Sequence, residues 1–148
     1  MIKLIEVSKE SFWLVTKLVV EENQNDFIES NAQSIAESKY YNYWKPMCIY
    51  YNNEMIGFTM YGKIDNENGR VWLDRFMLDK RFQGKGYGVK ALKYIINELE
   101  NIYNCDEVYI SIFEKNTKAL EMYKREGFEF NGELDYDGEK VMVKSLRK

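Results

Sequence analysis

The chain has 148 residues, 45% of them hydrophobic and 16% aromatic, and a formal charge of −3 from 21 basic and 24 acidic side chains. That is too apolar and aromatic for a disordered segment, and no apolar run approaches the roughly twenty residues of a bilayer span. Histidine is absent, which excludes Ser-His-Asp and Cys-His catalysis and leaves no zinc site except one built from carboxylates, so no metal is expected. One proline, no low-complexity stretch and no linker indicate a single domain over residues 1–148. Met1-Ile-Lys-Leu-Ile-Glu6 has early acid and no small-residue cleavage site, so no signal peptide is read and a cytoplasmic protein is expected. Cys48 and Cys105 stand far apart and read as buried hydrophobes. An acidic chain without a basic stripe is a poor partner for nucleic acid.

Ile2 to Val7 reads as a strand, and Ser8 caps a helix carrying Phe12, Val15 and Val19 at helical spacing. Ser30 opens a second helix through a Ser-Asn-Ala-Gln capping box, and Pro46 argues against its continuation. Met47 to Tyr51 and Met55 to Lys63 are strands joined by a tight turn at Asn52-Asn53-Glu54. Asn66-Glu67-Asn68-Gly69 turns the chain into a strand from Val71 to Leu78. A long helix follows, with Leu92, Ile95, Ile96 and Leu99 on one face. Val108 to Phe113 is a strand, and Asn116 caps a helix that Gly127 ends. Phe128 to Leu134 and Lys140 to Leu146 pair across Tyr136-Asp137-Gly138, whose Asp-Gly is a hairpin signal. The order β-α-α-β-β-β-α-β-α-β-β predicts one mixed sheet with helices on both faces.

Between the strand ending Phe76-Met77-Leu78 and the long helix lies Gln83-Gly84-Lys85-Gly86-Tyr87-Gly88. Glycines allow close backbone approach, and the first helical N–H groups lack acceptors and sit at the positive end of the dipole, so the loop can cradle phosphate. It is not a Walker loop, since no Ser or Thr follows the lysine, and neither its glycine spacing nor its place in the chain suits a dinucleotide fold. Charge is uneven. Lys80, Arg81, Lys85, Lys90 and Lys93 surround the loop, whereas Glu21, Glu22, Asp26, Glu29 and Glu37 crowd residues 21 to 40, so a polyphosphate and an amine can be held together. Asn116, Ala119 and Tyr123 form an i, i+3, i+7 stripe; small Ala119 leaves a groove, and Tyr123 is either a proton donor or a packed aromatic. Period-2 alternation places Trp72, Asp74, Phe76 and Leu78 on one face, where a carboxylate among apolar neighbours is paired, reaches solvent at the sheet end, or has a raised pKa suited to a general base.

The loop with Asn116-x-x-Ala119-x-x-x-Tyr123-x-x-x-Gly127-Phe128 resembles the GCN5-related N-acetyltransferase (GNAT) superfamily over residues 71 to 128, with Gln83 replacing the commoner arginine. More narrowly, Asn68-Gly-Arg-Val-Trp-Leu-Asp-Arg75, Tyr109-Ile-Ser-Ile-Phe-Glu114, Gly132-Glu-Leu-Asp135 and Asp137-Gly-Glu-Lys-Val-Met-Val-Lys144 resemble the bacterial spermine/spermidine acetyltransferases of the BltD type. The resemblance implies the GNAT fold, an α/β (α+β) domain whose single, mostly antiparallel sheet has about seven strands flanked by four helices. It implies acetyl-CoA as cosubstrate, with the pyrophosphate on the N–H groups of Gln83, Gly84, Lys85, Gly86, Tyr87 and Gly88 and the pantetheine along Phe76, Met77 and Leu78. Asn116, Ala119 and Tyr123 flank the thioester. Asp74 is implied as the proton acceptor, Tyr123 as the donor to the leaving thiolate, and the Met77 N–H as the group polarising the thioester. Glu21, Glu22, Asp26, Glu29, Trp72 and Asp74 are the candidate amine-binding residues, and a homodimer is expected from family habit. The alternatives are an acetyltransferase for another small amine or a protein N-terminus, and a non-catalytic acyl-CoA sensor.

Overall fold

Residues 1–21, 29–135 and 137–147 are described by the structure, a computed structural model. Its elements are β1 (Ile2–Glu6), α1 (Phe12–Val15), α2 (Asn31–Tyr40), β2 (Lys45–Tyr51), β3 (Glu54–Ile64), β4 (Arg70–Leu78), α3 (Tyr87–Tyr103), β5 (Glu107–Ile112), α4 (Thr117–Arg125), β6 (Glu129–Leu134) and β7 (Lys140–Ser145). They follow the predicted order. The seven strands make a sheet ordered β1-β2-β3-β4-β5-β7-β6, parallel at β4–β5 and antiparallel at every other junction.

Local chemistry sets the turns. Asn52 and Asn68 take left-handed backbone with φ of 56° and 60°, a region asparagine tolerates better than branched residues do. Ser30 caps α2 by accepting the Gln33 N–H at 3.1 Å, the forward half of the predicted box. At Gly57, β3 lies so close to β4 that a Cβ would stand 2.3 Å from the Met77 carbonyl oxygen.

Helices cover both faces of the sheet. On one side Ala91, Leu92, Ile95, Ile96 and Leu99 of α3 and Tyr123 of α4 pack with Val71, Leu73, Val108 and Ile110. On the other, Val15 of α1 and Ile35 of α2 pack with Phe58, Met60 and Met77. Among the described residues no helix is long and apolar enough to cross a membrane.

Two expectations are corrected. The first helix is a single turn, Phe12–Val15, entered at Ser11 rather than Ser8, although the Ser8 carbonyl does accept the Phe12 N–H. Val19 is exposed instead of continuing the helical face, because its N–H is recruited by the Asp79 carboxylate at 2.9 Å. The second correction concerns β4. Met60 pairs with Arg75 and the next residue, Tyr61, with Leu73, so Asp74 is an extra residue in a β-bulge. The bulge breaks the alternation: Leu73, Phe76 and Leu78 now share the α3 face, and Trp72 does not.

Candidate active site

The parallel junction between β4 and β5 is registered at one pair, Trp72 with Tyr109. Past it the strands separate, as expected where a bulge bends one of them, and the cleft at their carboxyl ends holds two cavities. The first, about 200 Å³, is mostly apolar and is lined by Val20, Phe76, Met77, Leu78, Gln83, Gly84, Gly88, Asn116, Lys118, Ala119, Met122 and Tyr123. The second, about 110 Å³, is lined by Glu29, Asp74, Arg75, Asp135, Asp137 and Glu139 together with Leu73 and residues 110–113 of the β5 end. Phe76, Asn116, Ala119 and Tyr123 line both, so the two cavities meet across these four side chains.

The loop that closes the first cavity is built on two left-handed glycines, Gly84 with φ 75° and Gly86 with φ 84°, and no atom lies within 4 Å of where a Cβ of either would stand. Backbone conformation, not crowding, requires glycine there, and the space over the backbone is open to a ligand. Gly86 is the N-cap of α3, so the N–H groups after it point out of the first turn with no intrahelical acceptor. The Gln83 side-chain amide donates to the Leu78 carbonyl at 3.0 Å and ties the loop to the end of β4. Asp79, only 3% exposed, accepts the Val19 N–H and pairs with Arg81 at 2.6 Å. Burial works against its charge, but Arg81 and the two backbone N–H groups outweigh burial and hold the carboxyl below its ordinary value. That anchor places Val20 in the cavity wall.

The backbone polarity of β4 follows from the same end. Asp79 donates its N–H to Ile56 of β3 at 2.8 Å, so alternation turns Met77 toward β3 as well and leaves Phe76 and Leu78 facing the open edge. The Met77 N–H, expected to face the thioester, thus points into the β3 ladder, and the N–H groups at the open edge are those of Phe76 and Leu78.

In the second cavity Arg75 is the hub. Its guanidinium pairs with Asp74 at 2.8 Å, Glu29 at 3.2 Å and Glu37 at 3.3 Å, and also donates to the Ser34 hydroxyl at 3.1 Å. Burial pushes the Asp74 carboxyl up to about 6; Arg75 pulls it back, while Glu37, Glu29 and Asp135 add to the rise. Burial also pushes Glu139 up to about 8, helped by the neighbouring Asp135 carboxylate. Tyr123, 9% exposed, packs edge-on against Phe128 with ring centroids 5.4 Å apart, and burial raises its hydroxyl above the ordinary value.

Of the residues picked from sequence, Phe76, Met77, Leu78, Gln83, Gly84, Gly88, Asn116, Ala119 and Tyr123 meet at the first cavity, and Glu29 and Asp74 at the second. Lys85 and Gly86 sit outside the lining, and the Tyr87 ring instead packs on Tyr51 and Phe82. Asn116 stands at the N-cap of α4 but makes no side-chain cap bond there, and lines both cavities instead. Trp72 lines a neighbouring groove, where its indole N–H donates to Glu67 at 3.1 Å and its ring lies on Tyr109. Glu21 is exposed, and Glu22 and Asp26 lie outside the described residues. Sequence reasoning missed Val20, Lys118 and Met122 in the first cavity and Asp135, Asp137 and Glu139 in the second. The last three carry a signal, a run of acids around the Asp-Gly turn, that hairpin propensity alone explains away.

Residues 12–128 match the model of the acetyltransferase (GNAT) family. The chain is 47% identical over 150 residues to a spermine/spermidine N(1)-acetyltransferase of Bacillus subtilis (strain 168), covering 98% of this chain and 99% of the relative. Among solved structures it is similar to an aminoglycoside acetyltransferase in complex with coenzyme A, with TM-score 0.82, 16% identity and coverage of 99% and 95% of the two chains. A spermidine N-acetyltransferase from Vibrio cholerae in complex with CoA and spermine matches with TM-score 0.74, 16% identity and coverage of 96% and 92%.

Proposed function

The chain belongs to the acetyltransferase (GNAT) family, and on that premise we propose that it moves the acetyl group of acetyl-CoA directly onto a primary amine of a polyamine such as spermidine or spermine. The observation that carries this is the meeting of an apolar cavity under an anion-binding loop with an acidic cavity, across Phe76, Asn116, Ala119 and Tyr123. The residues fit the cosubstrate: open left-handed glycines and free helical N–H groups suit a pyrophosphate, and Val20, Leu78 and Met122 suit an apolar arm. The name borne by the Bacillus relative supports a polyamine over other amines.

When bound, acetyl-CoA supplies an activated acyl group as a thioester. Gly84 to Gly88, with Lys85 beside them, hold the anionic end. One of the open-edge N–H groups of β4, that of Phe76 or that of Leu78, donates toward the acyl oxygen, where negative charge grows as the amine attacks, and the other is left for the rest of the acyl arm. Asp74, ionised above about pH 6, takes the proton from the entering ammonium, which has no lone pair until it loses it. Tyr123, kept protonated by burial, gives its proton to the departing sulfur. Holding the amine on one side of the shared wall and the acyl group on the other supplies the effective concentration that a bimolecular encounter lacks. No covalent enzyme intermediate is required.

Free-thiol release from acetyl-CoA, measured with spermine, spermidine, putrescine and a panel of unrelated amines, tests this. Saturable release with polyamines is expected. Release only with other amines points to a different acceptor, and acetyl-CoA binding without release from any amine points to a sensor. The proposal extends to one domain over residues 1–148, supported by a sheet running from Ile2 to Ser145, acting as a cytoplasmic homodimer, for which family habit is the support and light scattering of the purified chain the check.

A further inference from the structure

One peptide of β4 connects a buried hydroxyl to the cleft. Strand polarity turns the Arg75 carbonyl toward β3 and the Phe76 N–H, on the other side of the same planar amide, toward the open edge. From β3 the Thr59 hydroxyl donates to that carbonyl at 2.6 Å. Thr59 is fully buried, is registered opposite Phe76, and stands next to Met60, after which the β3–β4 register slips at the bulge. A buried hydroxyl is costly unless it is bonded, and valine has the same branched shape, so packing alone does not call for threonine there. Beside a bulge the ladder is disrupted and holds its amides less firmly; the side-chain bond fixes this one. The next peptide of the same polarity, between Met77 and Leu78, has its carbonyl against Gly57, which has no side chain to offer.

We infer that Thr59 is a positioning residue for acyl transfer: through the Arg75 carbonyl it holds and polarises the Phe76 N–H as the donor to the acyl oxygen. The inference rests on the proposal that acetyl-CoA occupies the first cavity. Of the two residues with open-edge N–H groups, Phe76 lies at the wall the cavities share, whereas Leu78 lines the first cavity alone and is tied by its carbonyl to Gln83 of the anion-binding loop. An oxygen that gains negative charge at the shared wall therefore meets Phe76. An amide whose carbonyl accepts a hydrogen bond is a stronger donor at its N–H, because the two bonds polarise one another. A donor already aimed also needs no reorganisation as the charge develops. Thr59 itself lines neither cavity, so it acts only through this peptide.

The test compares Thr59→Val, which keeps the branched shape and deletes the hydroxyl, with Thr59→Ser, which keeps the hydroxyl and deletes a methyl. Both are expected to lower the melting temperature, but only Thr59→Val to lower turnover. Its kcat is expected to fall about tenfold, short of the hundredfold or more, roughly, that removal of an oxyanion donor costs, with acetyl-CoA affinity by calorimetry within about twofold of the parent. Parental kcat in Thr59→Val, or an equal loss in Thr59→Ser, overturns the inference. A second readout needs no acceptor amine: difference infrared spectra of bound acetyl-CoA carrying carbon-13 at the thioester carbonyl. In the parent and in Thr59→Ser the carbonyl band is expected at lower frequency bound than free, and in Thr59→Val to move back toward the free value. A band unmoved on binding to the parent, or identical in the parent and Thr59→Val, overturns the inference even if the chain acetylates polyamines. If the bands behave as expected and no amine is acetylated, the role of Thr59 on the donor stands and the proposed function falls.

Discussion

At the scale of single residues, Asp74 gains its character from position. The bulge makes it the extra residue of β4, turned into a cavity that burial and three further carboxylates make unfavourable for charge, with Arg75 alone opposing them. A base must lose its proton to act, so kcat/KM for the amine is expected to rise with pH and to bend near pH 6 in the parent. Asp74→Asn removes that bend and leaves the steady rise due to deprotonation of the amine; a variant profile superimposable on the parent's removes Asp74 from the role. Tyr123 is the complementary case. Tyr123→Phe keeps the packing on Phe128 and deletes only the hydroxyl. If that hydroxyl protonates the leaving sulfur, kcat falls about a hundredfold or more, with acetyl-CoA affinity, read by calorimetry, within about twofold. Undiminished kcat assigns the proton elsewhere.

Among elements, the loop into α3 is where local sequence decides most. Gly86→Ala meets no neighbour, so its cost is the left-handed backbone alone, about 1–2 kcal/mol. At about 2–4 °C per kcal/mol for a chain of this size, melting falls by a few degrees, and acetyl-CoA affinity falls about tenfold as the cradle N–H groups are re-aimed. A melting loss with full affinity shows that the loop does not hold the anion. This loop was legible in the sequence because glycine spacing, basic charge and a strong helical face in Leu92, Ile95, Ile96 and Leu99 are all local. So were the element order and the α4 stripe of Asn116, Ala119 and Tyr123. What escaped is non-local. Asp79, sixty residues on, takes the N–H of Val19 that α1 needed to continue. The bulge at Asp74 is visible only against the register of β3, and it moves Trp72 away from Phe76. Asp135 and Glu139 look like turn chemistry until β7 pairs with β5 and brings their hairpin over the β4–β5 cleft.

For the whole molecule, the consequence of the topology is that one break in the sheet opens both cavities of the proposed site. The first cavity takes its walls from β4, the loop, α4 and the segment held by Asp79, elements far apart in sequence that a ligand there bridges. A ligand that binds only the folded chain stabilises it by mass action, about 2.7 kcal/mol at a hundred times its dissociation constant. With about 2–4 °C per kcal/mol, acetyl-CoA at that excess is expected to raise the melting temperature by about 5–10 °C in differential scanning calorimetry. If the smaller, charged cavity takes the polyamine as proposed, its stabilisation is expected to shrink as salt screens the carboxylates, whereas the part of the acetyl-CoA shift due to the apolar arm is expected to persist. A shift below about 1 °C for acetyl-CoA at this excess would mean that the cleft, although shaped for it, does not bind it.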